Sequence, residues 1–286
     1  MKLKISNPAT RLLIQIAAFG FCNSQIQNFP SGKLYTGSWK KFCAPGLNCY
    51  SCPAAAFSCP IGALQAVSGS IKFDFSFYVT GFLLAVGVIL GRAVCGFLCP
   101  FGLIQDLLHK IPSPKLKLWK PLRFVKYAVL IIFVLILPAS SSTGSPAFCQ
   151  YICPAGTLQG GIPMIATHPE LHGSLGGLFF MKASILLIVI TGSVFISRFF
   201  CKLLCPLGAL YGLLNKISLC HIQVDYEKCT GCGKCHRECP MDVNPVANPR
   251  SAECIRCGKC IHGCPAKALK YSFASGTVKI TPVPSR

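Results

Sequence analysis

The chain has 286 residues, of which 52% are hydrophobic and only 13% charged. That balance excludes an ordinary soluble domain and calls for membrane spans. The formal charge of +20 could suggest nucleic acid, but the bases flank apolar runs, so it reads as membrane orientation and no nucleic-acid partner is expected.

Taken in chain order, the apolar runs predict four spans, at about 10–27, 75–91, 124–139 and 178–199. The first carries Gln15, Asn23, Ser24 and Gln25, which should face the bundle interior because polar groups in lipid are expensive. No small-residue cleavage site follows it, so no cleaved signal is expected. Lys2, Lys4 and Arg11 precede or open that span, and seven bases follow the second, from Arg92 to Lys126. Arg198, Lys202 and Lys216 follow the fourth, while the loop from Ser140 to Ser174 has no Lys or Arg. The positive-inside rule therefore puts both termini in the cytoplasm of a multi-pass bacterial inner-membrane protein. Lys33, Lys40, Lys41 and Lys72 fit that scheme imperfectly.

The chain repeats itself. "CGFLCPFGLIQDLLHKI" from Cys95 aligns without gaps to "CKLLCPLGALYGLLNKI" from Cys201, and "CPIGALQ" from Cys59 matches "CPAGTLQ" from Cys153. Two copies of span, outer motif, span and inner motif follow, related by an axis along the membrane normal. The expected fold is an all-α four-helix membrane domain with an internal two-fold repeat. Its copies occupy residues 1–121 and 122–220, and a C-terminal α+β ferredoxin domain occupies 221–286.

That last domain carries the strongest signal. "CTGCGKCHRECP" and "CIRCGKCIHGCP" each follow the C-x2-C-x2-C-x3-C-P run that holds iron–sulfur clusters, with the fourth cysteine reaching the other cluster. One [4Fe–4S] cluster is therefore assigned to Cys229, Cys232, Cys235 and Cys264. The second is assigned to Cys254, Cys257, Cys260 and Cys239. Zinc is the competing ion for paired C-x-x-C, but it does not call for the C-x3-C-P ending twice.

At the spans, Pro100 and Pro206 open short helices, with Cys99 and Cys205 at their N-termini. The first of these helices is expected to lie amphipathically on the cytoplasmic face. Cys95, Cys99, Cys201 and Cys205 together would complete one inner-face cluster. On the outer face Cys149 and Cys153 would join Cys59 and one or more of Cys43, Cys49 and Cys52, with the two sites near opposite faces of the membrane core. Buried packing thiols are the alternative for the inner set, and disulfides for the outer set. Cys22 and Cys220 read as packing residues. His168 and His172, His109 with Asp106, and Lys182 read first as polar or snorkelling groups.

With "CGFLCP", "CKLLCP", four spans and the two-cluster tail, the chain resembles the NapH/MauN-type membrane ferredoxins, related to the membrane parts of NosR-like and YccM-like proteins. The resemblance implies electron transfer between the quinone pool and partner redox proteins. The expectation is a quinol-linked electron-transfer subunit of a larger respiratory complex and not a complete enzyme. Its cofactors would be two tail clusters, one or two further iron–sulfur clusters at the membrane cysteines, and a quinone. The rival function is a redox sensor or a maturation factor for another metalloprotein.

Overall fold

The computed structural model describes residues 7–70, 77–140 and 144–273. Lys2, Lys4, Lys72, the first two residues of the expected second span and the chain beyond 273 lie outside them. The expected spans become helices over Pro8–Cys22, Phe77–Ile89, Lys120–Ser140 and Gly177–Phe195. The third and fourth are long and apolar enough to cross a bilayer; the first and second are shorter. These two long helices bury only 28% and 17% of their apolar stretches inside the protein. Gln15 and Asn23 are buried as expected, whereas Ser24 is exposed.

Among the short helices between the long ones, four begin at a Cys-Pro pair. Pro60–Gly69, Pro100–Leu108 and Pro206–Leu214 have Cys59, Cys99 and Cys205 as N-caps in extended conformation. Cys153 caps a fourth helical stretch over 154–167. Proline suits the first helical turn, because its missing N–H would have had no partner there.

The helix Pro100–Leu108 does not lie on a surface as its amphipathic pattern suggested. Pro100, Phe101, Gly102, Leu103 and Gln105 are buried in the main core, together with Cys59, Cys95, Cys99, Cys153 and Cys205. The four Cys-Pro helices turn back into the protein, so their caps meet inside it. Short half-helices of this kind are tolerated at depth where protein surrounds them.

After the fourth long helix, β1 (Cys220–Val224) pairs antiparallel with β2 (Leu269–Phe273), Ile222 opposite Tyr271. Two single-turn helices, Lys234–Arg237 and Lys259–His262, follow Gly233 and Gly258, whose φ values are 69° and 78°. The left-handed cap bends each cysteine loop back on itself, which favours glycine. Ile222, Val224, Cys254, Cys260 and Leu269 form this unit's own small core.

Candidate iron–sulfur sites

The twenty cysteines are all free thiols. Sixteen of them fall into four groups of four.

In the tail, Cys229, Cys232, Cys235 and Cys264 line one cavity of about 200 Å³, with Gly231 and Gly233 beside them. Cys239, Cys254, Cys257 and Cys260 line a second, tighter space with Ile222 and Met241. Each group takes its fourth cysteine from the other run, as the spacing predicts. Burial raises the Cys254 thiol to about 12 and lifts Cys239 as well. Exposed Cys232 is lowered, mainly by the backbone N–H of Lys234. A buried thiolate is costly unless a cationic core compensates it, and an iron–sulfur core does so.

The third group is Cys95, Cys99, Cys201 and Cys205, all 5% exposed. Their sulfurs interact with one another across the two repeat copies. Sulfur of Cys205 accepts the backbone N–H of Gly208. The x-Gly of each Cys-Pro-x-Gly element has a second role. A Cβ at Gly102 would sit 2.5 Å from Nη1 of Arg198, and one at Gly208 would sit 3.2 Å from Nη2 of Arg92. These arginines stand three residues before Cys201 and Cys95. Their contacts are reciprocal: Arg198 donates to the carbonyl of Cys95 at 2.5 Å, and Arg92 to that of Cys201 at 3.4 Å.

Both arginines are fully buried, and so are Lys126, Lys202 and Arg256. With Arg11 and Arg123 they form a basic seam around this group. Asp106 pairs with Arg198 and Arg11, Glu253 with Arg92 and Lys126, and Asp242 with Arg123 and Lys202. Six of these bases thus share three acids, and Arg256 donates instead to the carbonyls of Leu90 and Asn215. Uncompensated buried charge is strongly unfavourable. Four thiolates around a dicationic iron–sulfur core carry two net negative charges, three when reduced, and such a group fits the excess. The sequence showed these bases but read them as loop charges; their spacing before the cysteines was the available signal.

The fourth group is Cys49, Cys59, Cys149 and Cys153, which line a cavity of about 420 Å³ with Thr157 and Lys182. Among the described residues, Oγ1 of Thr157 and Oδ1 of Asn48 line this cavity buried and without a partner. Lys182 donates to the carbonyl of Cys149 at 3.2 Å, which places a cation at the rim. A space walled by four thiols, a free hydroxyl and an ammonium fits an anionic cluster. Two other candidates stand apart. Sulfur of Cys52 donates to the carbonyl of Gln159 at 3.0 Å, and Cys43 forms a backbone bridge with Ser58.

The two membrane-segment groups lie close to one another. A Cβ at Gly46 would lie 2.7 Å from Cα of Cys99, so the loop carrying Cys43 and Cys49 runs directly against the Cys99 element. Tyr211, fully buried, donates its hydroxyl to the carbonyl of Pro45 at 3.1 Å. The Cys-Pro helices point inward from both sides, and this brings the groups back to back. The tail is equally close. A Cβ at Gly96, between Cys95 and Cys99, would lie 2.5 Å from the carbonyl of Ile255, between Cys254 and Cys257. Asn215 fixes this junction, donating to the carbonyls of Ser251 and Cys254 and accepting the N–H of Arg92.

Of the remaining candidates, Nδ1 of His109 is buried without a partner among the described residues, and the others have local ones. Asp106 belongs to the arginine pairing above, His168 contacts Thr167, and His172 contacts the carbonyl of Ile165. Cys22 packs with Ala44, Ala56 and Phe57.

The comparisons agree with this arrangement. A family profile described as "4Fe-4S binding domain" matches residues 75–118, 125–165 and 178–222, and a "4Fe-4S dicluster domain" matches 221–265. Methylamine utilization ferredoxin-type protein MauN of Paracoccus denitrificans is 32% identical over 161 residues, covering 56% of this chain and 50% of MauN. YccM of Escherichia coli is 31% identical over 171 residues, covering 56% of this chain and 44% of YccM. Ferredoxin-type protein NapH of Haemophilus influenzae is 27% identical over 163 residues, 55% of this chain and 50% of NapH. The chain spans about half the length of these curated relatives. No solved structure matches. The chain is similar to the NapH/MauN-type ferredoxin-type proteins and carries 4Fe-4S binding domains.

Proposed function

We propose that this chain is a membrane-integral electron-transfer subunit that relays single electrons along four cysteine sites in series. Electrons would enter from a quinol or a cytoplasmic donor and leave to a partner redox protein in a respiratory complex. The cofactors of this reading are two [4Fe–4S] clusters in the tail, held by the two crossed cysteine sets, and one iron–sulfur cluster at each membrane site. Clusters supply one-electron chemistry; the chain supplies position, charge and seclusion. The inner ligands are Cys95, Cys99, Cys201 and Cys205, and the outer ligands are Cys49, Cys59, Cys149 and Cys153.

The observation that carries this reading is continuity. Cys235 of one tail site packs against the small core that contains Cys260 of the other. Ile255 abuts Gly96, and Cys99 abuts Gly46. Each site therefore touches the next, and a tethered ferredoxin would not need that. The reciprocal Arg92 and Arg198 contacts support the internal two-fold repeat. The exposed apolar flanks of the four long helices, such as Leu13, Leu84, Ile136 and Leu187, support a four-span membrane domain. Both termini are then cytoplasmic.

The test is electron passage across a vesicle. Full-length protein is inserted into liposomes with ferricyanide trapped inside, and dithionite is added outside. Reduction of the trapped ferricyanide that disappears in Cys99→Ser and in Cys153→Ser supports the relay. Equal rates in wild type, both variants and empty liposomes would sink it.

A further inference from the structure

One position of the repeated element has no role in the reading above. Six residues after the second cysteine of each Cys-Pro-x-Gly element stand Gln65, Gln105, Gln159 and Tyr211. The three glutamines are buried, and each reaches across to a loop of the other copy. Oε1 of Gln65 accepts the N–H of Phe148 at 2.9 Å, and its Nε2 lies 3.1 Å from the sulfur of Cys149. Oε1 of Gln105 accepts the N–H of Phe200 at 3.0 Å, and its Nε2 lies 3.1 Å from the sulfur of Cys201. The two amides make the same pair of bonds, to the residue before a cysteine and to that cysteine's sulfur. Gln159 differs: it accepts the N–H of a cysteine itself, Cys49, at 2.9 Å. Its Nε2 is buried without a partner.

A structural role alone accounts poorly for this pattern. A neutral thiol is a weak acceptor, so burying an amide N–H against one gains little. Leaving one unpaired, as at Gln159, costs the desolvation of the amide with no bond in return. Against a cluster thiolate the same N–H makes a charge-assisted bond. Reduction adds negative charge at the cluster, so a donor to its sulfur favours the reduced form, and hydrogen bonds to sulfur are among the determinants of cluster potential.

We propose that Gln65 and Gln105 are positioning residues that hold the opposing cysteine loop and raise the reduction potential of the cluster beside it, while Gln159 holds the backbone of the Cys49 loop. This rests on the cluster reading of the two membrane sites. Each site then has one amide donor to sulfur. At the fourth position Tyr211 turns its hydroxyl to Pro45 and gives the inner site no donor.

The experiment is an EPR-monitored redox titration of the full chain, with iron and sulfide measured on each sample. The inner signal is the one lost in Cys99→Ser, the outer the one lost in Cys153→Ser, and the tail signals are internal controls. In Gln105→Met the inner signal should shift to lower potential by about tenfold in the reduction equilibrium, ~59 mV for one electron. Gln65→Met should do the same to the outer signal, and the tail signals should stay put. If Gln105→Met loses iron, Gln105→Glu keeps an acceptor for Phe200 but no donor for Cys201, and its potential must fall. Full iron with unmoved potentials in these variants would overturn the proposal while leaving the clusters standing. A wild type without iron at either membrane site would remove the cluster reading itself.

Discussion

The inner and outer thiol groups are built from the same Cys-Pro-x-Gly element, yet their surroundings differ. The inner group is sealed: its four cysteines are 5% exposed, and a seam of bases closes over them beneath the tail. The outer group opens into a cavity, has half-buried Cys49 and Cys149, and has Lys182 as its cation. One element has thus been set into two electrostatic environments. Its backbone geometry gives the thiolate site, and the residues packed around it set how tightly charge and water are controlled.

The largest effect should come from breaking the inner seam. Asp106→Leu leaves Arg198 and Arg11 buried without their shared carboxylate, so a loss of about 3–5 kcal/mol is expected. Thermal unfolding in detergent measures it. Lys182→Met at the outer rim breaks no buried acid pair and should leave the melting transition nearly unchanged. Next comes the junction between the groups. Gly46→Ala puts a methyl group against the backbone of Cys99, and overpacking of this kind costs about 1–3 kcal/mol. The signals of both membrane sites should change together in that variant, and tail signals should not. The smallest effect is one of access. In iron-free protein, maleimide should label half-buried Cys49 and Cys149 well before Cys95 or Cys201, because buried thiols are inert. Peptide mapping by mass spectrometry reads the order, and equal labelling would erase the contrast.

Much of this was legible in the sequence. The crossed tail sets follow from ligand spacing alone, because three close thiolates and one redirected by proline leave few arrangements. The repeat gave Cys95, Cys99, Cys201 and Cys205 as a set, since two aligned copies must contribute equivalent pairs. The outer set was not legible. "CYSCPAAAFSCP" offers Cys49, Cys52 and Cys59, and only the fold shows sulfur of Cys52 turned to Gln159. The burial of the first inner Cys-Pro helix was missed for a related reason. A nine-residue amphipathic pattern such as Pro100–Leu108 looks the same at a lipid interface and inside a protein, and long-range packing decides between them. Arg92 and Arg198 were hidden by their chemistry, because a base after an apolar run reads first as a topology signal.

The central claim is that the membrane cysteines hold clusters in addition to the tail. Iron and acid-labile sulfide per chain should be measured anaerobically on full-length protein, on Cys99→Ser and on Cys153→Ser. The full chain is needed, because removing the tail would take away Asp242 and Glu253 and leave Arg92, Lys126 and Lys202 buried without acids. The account predicts well over the roughly eight iron atoms of two [4Fe–4S] clusters, with a separate loss in each variant. About eight iron atoms in all three proteins would contradict it.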